Sequence, residues 1–139
     1  MPYETYLGYK DKLPENWAKR AEHWYTEFHR VEAGAEAWRN GDIEEFGKLS
    51  FESGYSSIHN WETGSPELIK LYEIMTHTDG IYGGRFSGAG FKGCCMALID
   101  PAYESEILEK VGREYLVAFP DLKGKYSAHI CHTADGVRL

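Results

Sequence analysis

From Glu15 to Asn40, apolar side chains recur at Trp17, Ala21, Trp24, Phe28, Val31, Ala35 and Trp38, in alternating steps of four and three. Such steps return to one side of a 3.6-residue turn, so the segment reads as a long amphipathic helix, closed by Asn40-Gly41. The same spacing fits a coiled coil. Three tryptophans and a phenylalanine make a bulky stripe, however, and it is expected to pack in the core, on a sheet or another helix. Asp42 is suited to cap a second helix, with Glu45 three residues on, running from Ile43 to about His59 and carrying Ile43, Phe46, Leu49, Phe51 and Ile58. Gly54 is expected to weaken its later half. Ser65-Pro66-Glu67 places a cap, a first-turn proline and a first-turn acid ahead of Leu68, Leu71, Tyr72 and Met75, a third helix that Asp79-Gly80 stops.

Beyond residue 80 the period changes. Residues 81 to 99 read as strand, glycine loop and strand, the second strand being the apolar run Cys94-Cys95-Met96-Ala97-Leu98-Ile99. Asp100-Pro101 opens a fourth helix with Ile107, Leu108, Val111, Tyr115, Leu116 and Phe119 on its inner side, and Pro120 closes it. A last strand is expected from Tyr126 to Cys131, with a turn at Asp135-Gly136 into Val137-Arg138-Leu139. Residues 1–12 have no helical period and read as a lead-in or a first strand. The strand that would complete a sheet comes from residues 3–9, which is preferred, or from chain absent here. The order indicates an α+β domain, a small antiparallel sheet with helices packed on one face.

Composition narrows the function classes. A chain of 139 residues that is 42% hydrophobic has enough apolar surface for one real core. The net charge of −7, without a basic run, argues against nucleic acid as a partner. No apolar window reaches membrane-spanning length, and Met1-Pro2-Tyr3-Glu4-Thr5 lacks a signal-peptide pattern. Three cysteines, two of them adjacent, make a poor disulfide framework, and none of the three asparagines begins a glycosylation sequon. The expectation is a cytoplasmic protein with no membrane contact.

The chemistry-bearing segment is Arg85-Phe86-Ser87-Gly88-Ala89-Gly90-Phe91-Lys92-Gly93-Cys94. Its glycines let the main chain approach a ligand, and successive amides in such a loop form anion-holding nests; the bland counterpart is a tight turn between strands. The spacing is formally G-x-G-x-x-G, but a strand follows where a dinucleotide site needs a helix. No G-x-x-x-x-G-K-[ST] is present, since Gly124-Lys125 is followed by Tyr126. Arg20, His23, Glu27 and Arg30 share one quadrant of the first long helix, where His23 and Glu27 can pair; an interhelix polar network is preferred over a substrate contact. His129-Ile130-Cys131-His132 looks like a metal fragment, but a strand would place His132 opposite the other two, and no second ligand pair lies nearby. No metal site is expected. Cys94 and Cys95 face opposite sides of their strand and are expected to be buried structural thiols.

Gly83-Gly84-Arg85-Phe86-Ser87-Gly88-Ala89-Gly90-Phe91-Lys92-Gly93-Cys94 resembles the third, glycine-rich motif of the GHMP small-molecule kinases, in the form used by the galactokinase branch. Arg20-Ala21-Glu22-His23 with Glu27 and Arg30, Gly41-Asp42, Phe46-Gly47-Lys48-Leu49, Glu52-Ser53, Ser56-Ser57, Pro66-Glu67-Leu68, Gly80-Ile81-Tyr82-Gly83 and Ala134-Asp135-Gly136 fall in that branch's order, from near Leu13 to the end. The Phe-Ser-Gly-Ala-Gly-Phe-Lys-Gly-Cys-Cys wording and Ser56-Ser57-Ile58 look most like the galacturonate kinase variety. The resemblance implies a ferredoxin-like GHMP kinase C-terminal domain over 13–139. It implies transfer of the ATP γ-phosphate to the anomeric hydroxyl of galactose or galacturonate. It also implies that Ser87, Gly88, Ala89, Gly90 and Gly93 line the phosphate and substrate site, with Arg85 and Lys92 as candidate substrate contacts. Lys92 departs from the galactokinase pattern, which usually has glycine there; a cation beside the site would favour an anionic sugar.

The family's phosphate loop, sugar-recognition segment and catalytic carboxylate lie N-terminal to everything matched here and have no counterpart in these residues. No catalytic residue is therefore assigned. ATP and Mg2+ are expected only together with the missing N-terminal nucleotide-binding domain, and the chain alone is expected to be inactive. Expected partners are that N-terminal half, or a second copy through the uncovered interface, and a small sugar. Tyr3, Tyr6, Tyr9, Tyr55, Trp61 and Tyr82 are the candidates for that exposed face. The rival reading is a free-standing, noncatalytic α+β module that binds a small metabolite or a partner protein.

Overall fold

The computed structural model describes residues 2–132 and 134. Where a cap is written into the sequence, a helix starts at it. The Asp42 carboxylate accepts from the Glu45 amide at 3.0 Å, and the second long helix begins at the next residue. Ser65 caps the Leu68 amide ahead of Pro66. Asp100 caps Ala102 in a short 3₁₀ turn, Pro101–Tyr103, that leads into the last helix. The elements are α1 (Tyr3–Tyr9), α2 (Glu15–Arg39), α3 (Ile43–His59), α4 (Pro66–Thr76), β1 (Ile81–Phe86), β2 (Cys95–Ile99) and α5 (Glu104–Ala118). The α+β expectation is met, with the sheet reduced to two antiparallel strands among the described residues.

Residues 3–9 are helical, which corrects the first-strand reading of 1–12. Tyr3 and Tyr6 stand three apart, so one helical turn brings both rings to the same side, where a strand would oppose them. Tyr6 is 1% exposed, stacks on Tyr25 at 4.6 Å and donates from its hydroxyl to Glu22 at 2.6 Å. Tyr3 packs on Tyr25 at 5.4 Å. Tyr6 therefore does not belong to an uncovered face; Tyr9, Tyr55 and Trp61 are exposed as expected, while Tyr3 and Tyr82 are half-buried.

The apolar stripe of α2 is on the wrong side for the core. Trp17, Trp24, Phe28, Val31 and Trp38 are 51–64% exposed. The face that packs on α3 instead carries His23, Glu27, Gly34 and Ala37, with Gly34 against the Phe46 ring. Small and polar side chains let the two helices come close, and bulky rings would hold them apart.

The same logic governs α3. Its buried residues are Gly47, Ser53, Gly54, Ser56 and Ser57. Gly54 does not mark a weak half: a Cβ there would lie 2.5 Å from the Tyr72 ring and 3.3 Å from the Gly84 carbonyl oxygen. The carbonyls of Tyr82 and Gly84 lie on the edge of β1 away from β2, so α3 covers that edge. A core of Leu68, Tyr72, Met75 and Phe86 sits between α4 and the sheet, and a second, of Ile74, Ile107, Val111 and Tyr115, joins α4 to α5.

The expected strand at Tyr126–Cys131 does not form; 126–132 has no regular secondary structure. Tyr126 packs its ring on Tyr115 at 5.3 Å, which buries it without a strand partner. The expected turn and strand at 135–139 lie outside the described residues.

Candidate functional site

Residues 87–94 connect the two strands as a loop whose base is closed by a hydrogen bond from the Ser87 amide to the Cys94 carbonyl at 2.9 Å. Gly88, Gly90 and Gly93 have φ of +85°, +77° and +105°, which is why glycine is needed at each. Their surroundings differ. A Cβ on Gly90 would lie 2.3 Å from the Phe86 ring, so the loop folds down onto that buried side chain. One on Gly88 would meet nothing within 4 Å. A second anchor is the Gly90 carbonyl, which accepts from the Ser65 amide at 2.6 Å and ties the loop to the start of α4.

Between these anchors Ser87, Gly88, Ala89, Phe91, Lys92, Gly93 and Cys94 are exposed. No backbone hydrogen bond of the described residues uses the amides of residues 88–93. Gly90 itself is buried, but the other residues carrying these amides are exposed, as an anion-holding nest requires. The loop lines neither of two surface cavities, one of about 270 Å³ beside Thr78, Tyr103 and Lys110, the other of about 190 Å³ beside Tyr3, Trp24 and Phe28.

Arg85 enters from the strand just before the loop, and its guanidinium turns toward α2 and α3. It donates to Glu27 Oε1 at 3.0 Å and to the Ser53 hydroxyl. Glu27 also accepts from Ser53 and, on its other oxygen, from Arg30 at 3.0 Å. Burial pushes the Glu27 carboxyl up; the Ser53 hydroxyl and the Arg30 and Arg85 guanidinium groups outweigh it and hold the group below its ordinary value. His23 Nδ1 meets the Ser56 hydroxyl at 2.9 Å, and burial holds the imidazole below its ordinary value. Arg20 donates to the Asn60 carbonyl and pairs with Glu62 at 2.6 Å.

The quadrant of Arg20, His23, Glu27 and Arg30 is thus a polar network between helices, and it reaches the strand that carries the loop. His23 bonds across to α3 rather than along α2 to Glu27. Ser53 and Ser56 are the members that sequence reasoning missed; the signal available was a helix whose small residues recur at 47, 53, 54, 56 and 57. Lys92 stands apart from the network on the exposed loop.

The cysteines divide differently from expectation. Cys94 precedes β2 and is exposed, because the loop ends there and nothing packs over it. Cys95 turns inward with its sulfur 3.7 Å from the Leu68 carbonyl, and burial pushes its thiol up to about 12. Among the described residues no group of three or more His, Cys, Asp or Glu is arranged to hold a metal ion, and no helix is long and apolar enough to cross a membrane.

A family model described as GHMP kinases C terminal matches residues 35–118. The chain belongs to that family. The GHMP kinase C-terminal match includes α3, both strands, the glycine loop and α5. A galacturonokinase from Arabidopsis thaliana is 44% identical over the whole of this chain and 34% of its own length. A galactokinase from Canis lupus familiaris is 31% identical over 87% of this chain and 29% of its own. The crystal structure of Lactococcus lactis galactokinase complexed with galactose aligns with a TM-score of 0.79 and 30% identity, over 86% of this chain and 31% of that one. The chain spans about a third of the length of the curated relatives it matches.

Proposed function

We propose that this chain is the C-terminal, substrate-side domain of a galactokinase-like sugar kinase, one that moves the ATP γ-phosphate to the anomeric hydroxyl of galacturonate in preference to galactose. The observation that carries the proposal is the anchored glycine loop, with open amides, in a chain similar along its whole length to a galacturonokinase. Phosphoryl transfer requires charge stabilisation and positioning more than covalent chemistry, and backbone amides held in place by two hydrogen bonds supply both without reorganising. In this reading Ser87, Gly88, Ala89, Gly90 and Gly93 line the site, and Lys92 meets the uronate carboxylate. Arg85 acts from behind, by holding β1 against α2 and α3.

ATP would be held together with an amino-terminal lobe that supplies the phosphate loop and the catalytic carboxylate. The role assigned to the residues of this chain is to bind and orient the sugar and the transferring phosphate. The isolated chain is accordingly inactive. The test combines purified 1–139 with the separately produced amino-terminal two thirds of a galacturonokinase relative and follows ADP release. Galacturonate-dependent turnover from the pair, and none from either part, is the expected result. No turnover from a pair shown to bind each other sinks the kinase reading, and turnover by 1–139 alone overturns its inactivity.

A further inference from the structure

The outward stripe of α2 has a use that the kinase reading does not absorb. Trp17, Trp24, Val31 and Trp38 are seven residues apart, and Phe28 falls between them with Ala21 and Ala35 in a second seven-residue series. This is an unbroken a/d pattern over three heptads, carried on one 25-residue helix. A repeat of 3.5 keeps a seam in line with a second helix over several turns, which a helix lying on a sheet or in solvent has no need of. The side of α2 that packs on α3 lies next to this stripe, carrying His23, Glu27, Gly34 and Ala37, and at one end of the stripe Trp38 also rests on the Phe46 ring at 5.0 Å.

We infer that the stripe is a homodimer interface, in which two α2 helices pack antiparallel across a two-fold axis near Phe28. Two observations favour a second copy as the occupant. The first is self-complementarity under reversal: with Phe28 against its own copy, Trp24 faces the partner's Val31, Ala21 faces Ala35, and Trp17 faces Trp38. Large thus meets small at the inner layers. In a parallel pair, Trp24 would face Trp24 and Trp17 would face Trp17, large against large in the same layers.

The second observation is area. With aromatic side chains burying about 150–250 Å² each, the exposed parts of the three tryptophans and Phe28 amount to roughly 400–500 Å² per copy. Doubled, and with Val31 and the flanking residues added, the pair reaches about the 1,000 Å² total that a specific interface needs. The cavity of about 190 Å³ between Tyr3, Trp24 and Phe28 adjoins the seam and offers the partner's side chains a recess. Three of the four tryptophans in the chain lie on this seam, so dimerisation has an optical signature.

The test is sedimentation equilibrium of the whole 1–139 chain over a concentration series, with tryptophan emission recorded in parallel. A monomer–dimer equilibrium is expected, its emission shifting to the blue as dimer forms. Phe28→Glu, at the axis, should weaken it about 30-fold or more, as central interface anchors do. Val117→Glu, on exposed α5 surface, should leave it unchanged. Circular dichroism confirms that both variants are folded; if Phe28→Glu does not fold, Trp24→Gln replaces it. A strict monomer, a ladder of higher species, a dimer indifferent to both stripe variants, or a stripe covered only when an amino-terminal kinase lobe is supplied would each overturn the inference. None of these outcomes depends on sugar kinase activity, so it stands or falls apart from the proposed function.

Discussion

Gly83 on β1 and Gly47 on α3 meet backbone to backbone. A Cβ on Gly83 would stand 2.1 Å from the Gly47 carbonyl oxygen, and one on Gly47 would stand 2.2 Å from that of Tyr82. Neither neighbour is a flexible side chain that can swing aside, so the helix and the strand edge set each other's position. Because the glycine loop leaves from the end of the same strand, this contact fixes the loop against the helices.

Gly83→Ala should therefore cost about 3 kcal/mol, at the upper end of overpacking penalties, since the main chain itself must move. Gly8 is the contrasting position. It lies within α1 with nothing within 4 Å of a Cβ, and Gly8→Ala should stabilise by about 0.5–1 kcal/mol through lost unfolded-state entropy. Urea midpoints of the two variants should move in opposite directions.

The network of α2 and α3 predicts a pH dependence in two windows. Burial holds His23 below its ordinary value, so the unfolded chain takes up a proton there before the folded one does. Stability conferred by the neutral ring is complete above the ordinary imidazole value of about 6.5 and is lost as pH falls through the folded value. Glu27 is also held low, and its contribution is lost at more acid pH, below the ordinary carboxylate range. His23→Gln should flatten the stability profile as pH falls below the ordinary imidazole value of about 6.5, and Glu27→Gln should flatten only the part below about pH 4.5. Unfolding midpoints measured across both windows separate the two groups; a His23→Gln profile parallel to the parent's would show that the ring is not the titrating group.

Helix ends were legible because a cap is a local event: Asp42, Ser65 and Asp100 each bond an amide two or three residues away. The buried side of α2 was not. Periodicity reports that Trp17, Trp24 and Trp38 are aligned, not which way they face, and the facing was set by glycines and serines on α3, a different element. The strand expected at Tyr126–Cys131 failed for a related reason: alternation in 126–131 does not report a partner, and Tyr126 turns its ring onto Tyr115 of α5 instead. The loop glycines were legible as positive-φ positions. Whether their amides meet a ligand was not, because the same backbone serves a turn in water.

Tyr6 makes the amino terminus part of the fold rather than a lead-in. Burial, followed by the hydrogen bond to Glu22, pushes its phenol well above its usual value. Tyr6→Phe keeps the ring stacked on Tyr25 and should cost about 1 kcal/mol. Tyr6→Ala leaves a cavity under α1 and should cost about 3–4 kcal/mol. Amide exchange in residues 3–9 should become fast in the alanine variant and remain protected in the phenylalanine one; equal exchange in both would remove the ring from its anchoring role.

The thiols offer a test of the β2 register. Cys94 and Cys131 are exposed, while Cys95 is pushed up to about 12 by burial beneath the Leu68 carbonyl. A disulfide reagent at mildly alkaline pH should titrate two thiols quickly and the third at least about 100-fold more slowly, following its thiolate fraction and access. Denaturant should abolish the difference. Cys95→Ser should remove the slow phase alone, and loss of a fast phase instead would mean that the strand's alternation is reversed.

Lys92 is the residue through which the proposed sugar preference is most directly tested. It is exposed on the loop, seven residues beyond Arg85, whose guanidinium is already committed to Glu27 and Ser53. An ammonium at that place adds a charge-assisted contact to a carboxylate and nothing comparable to a neutral hydroxymethyl group. In the enzyme reconstituted with an amino-terminal lobe, Lys92→Gly should lower the ratio of kcat/KM for galacturonate to that for galactose on the order of tenfold, and Lys92→Arg should preserve it. Because the side chain is exposed, Lys92→Arg should leave the unfolding midpoint in place, and Lys92→Gly should lower it by no more than about 0.5–1 kcal/mol through added unfolded-state entropy. A ratio unchanged in Lys92→Gly, with turnover intact, would show that the preference is set elsewhere and would leave the loop's role in positioning untouched.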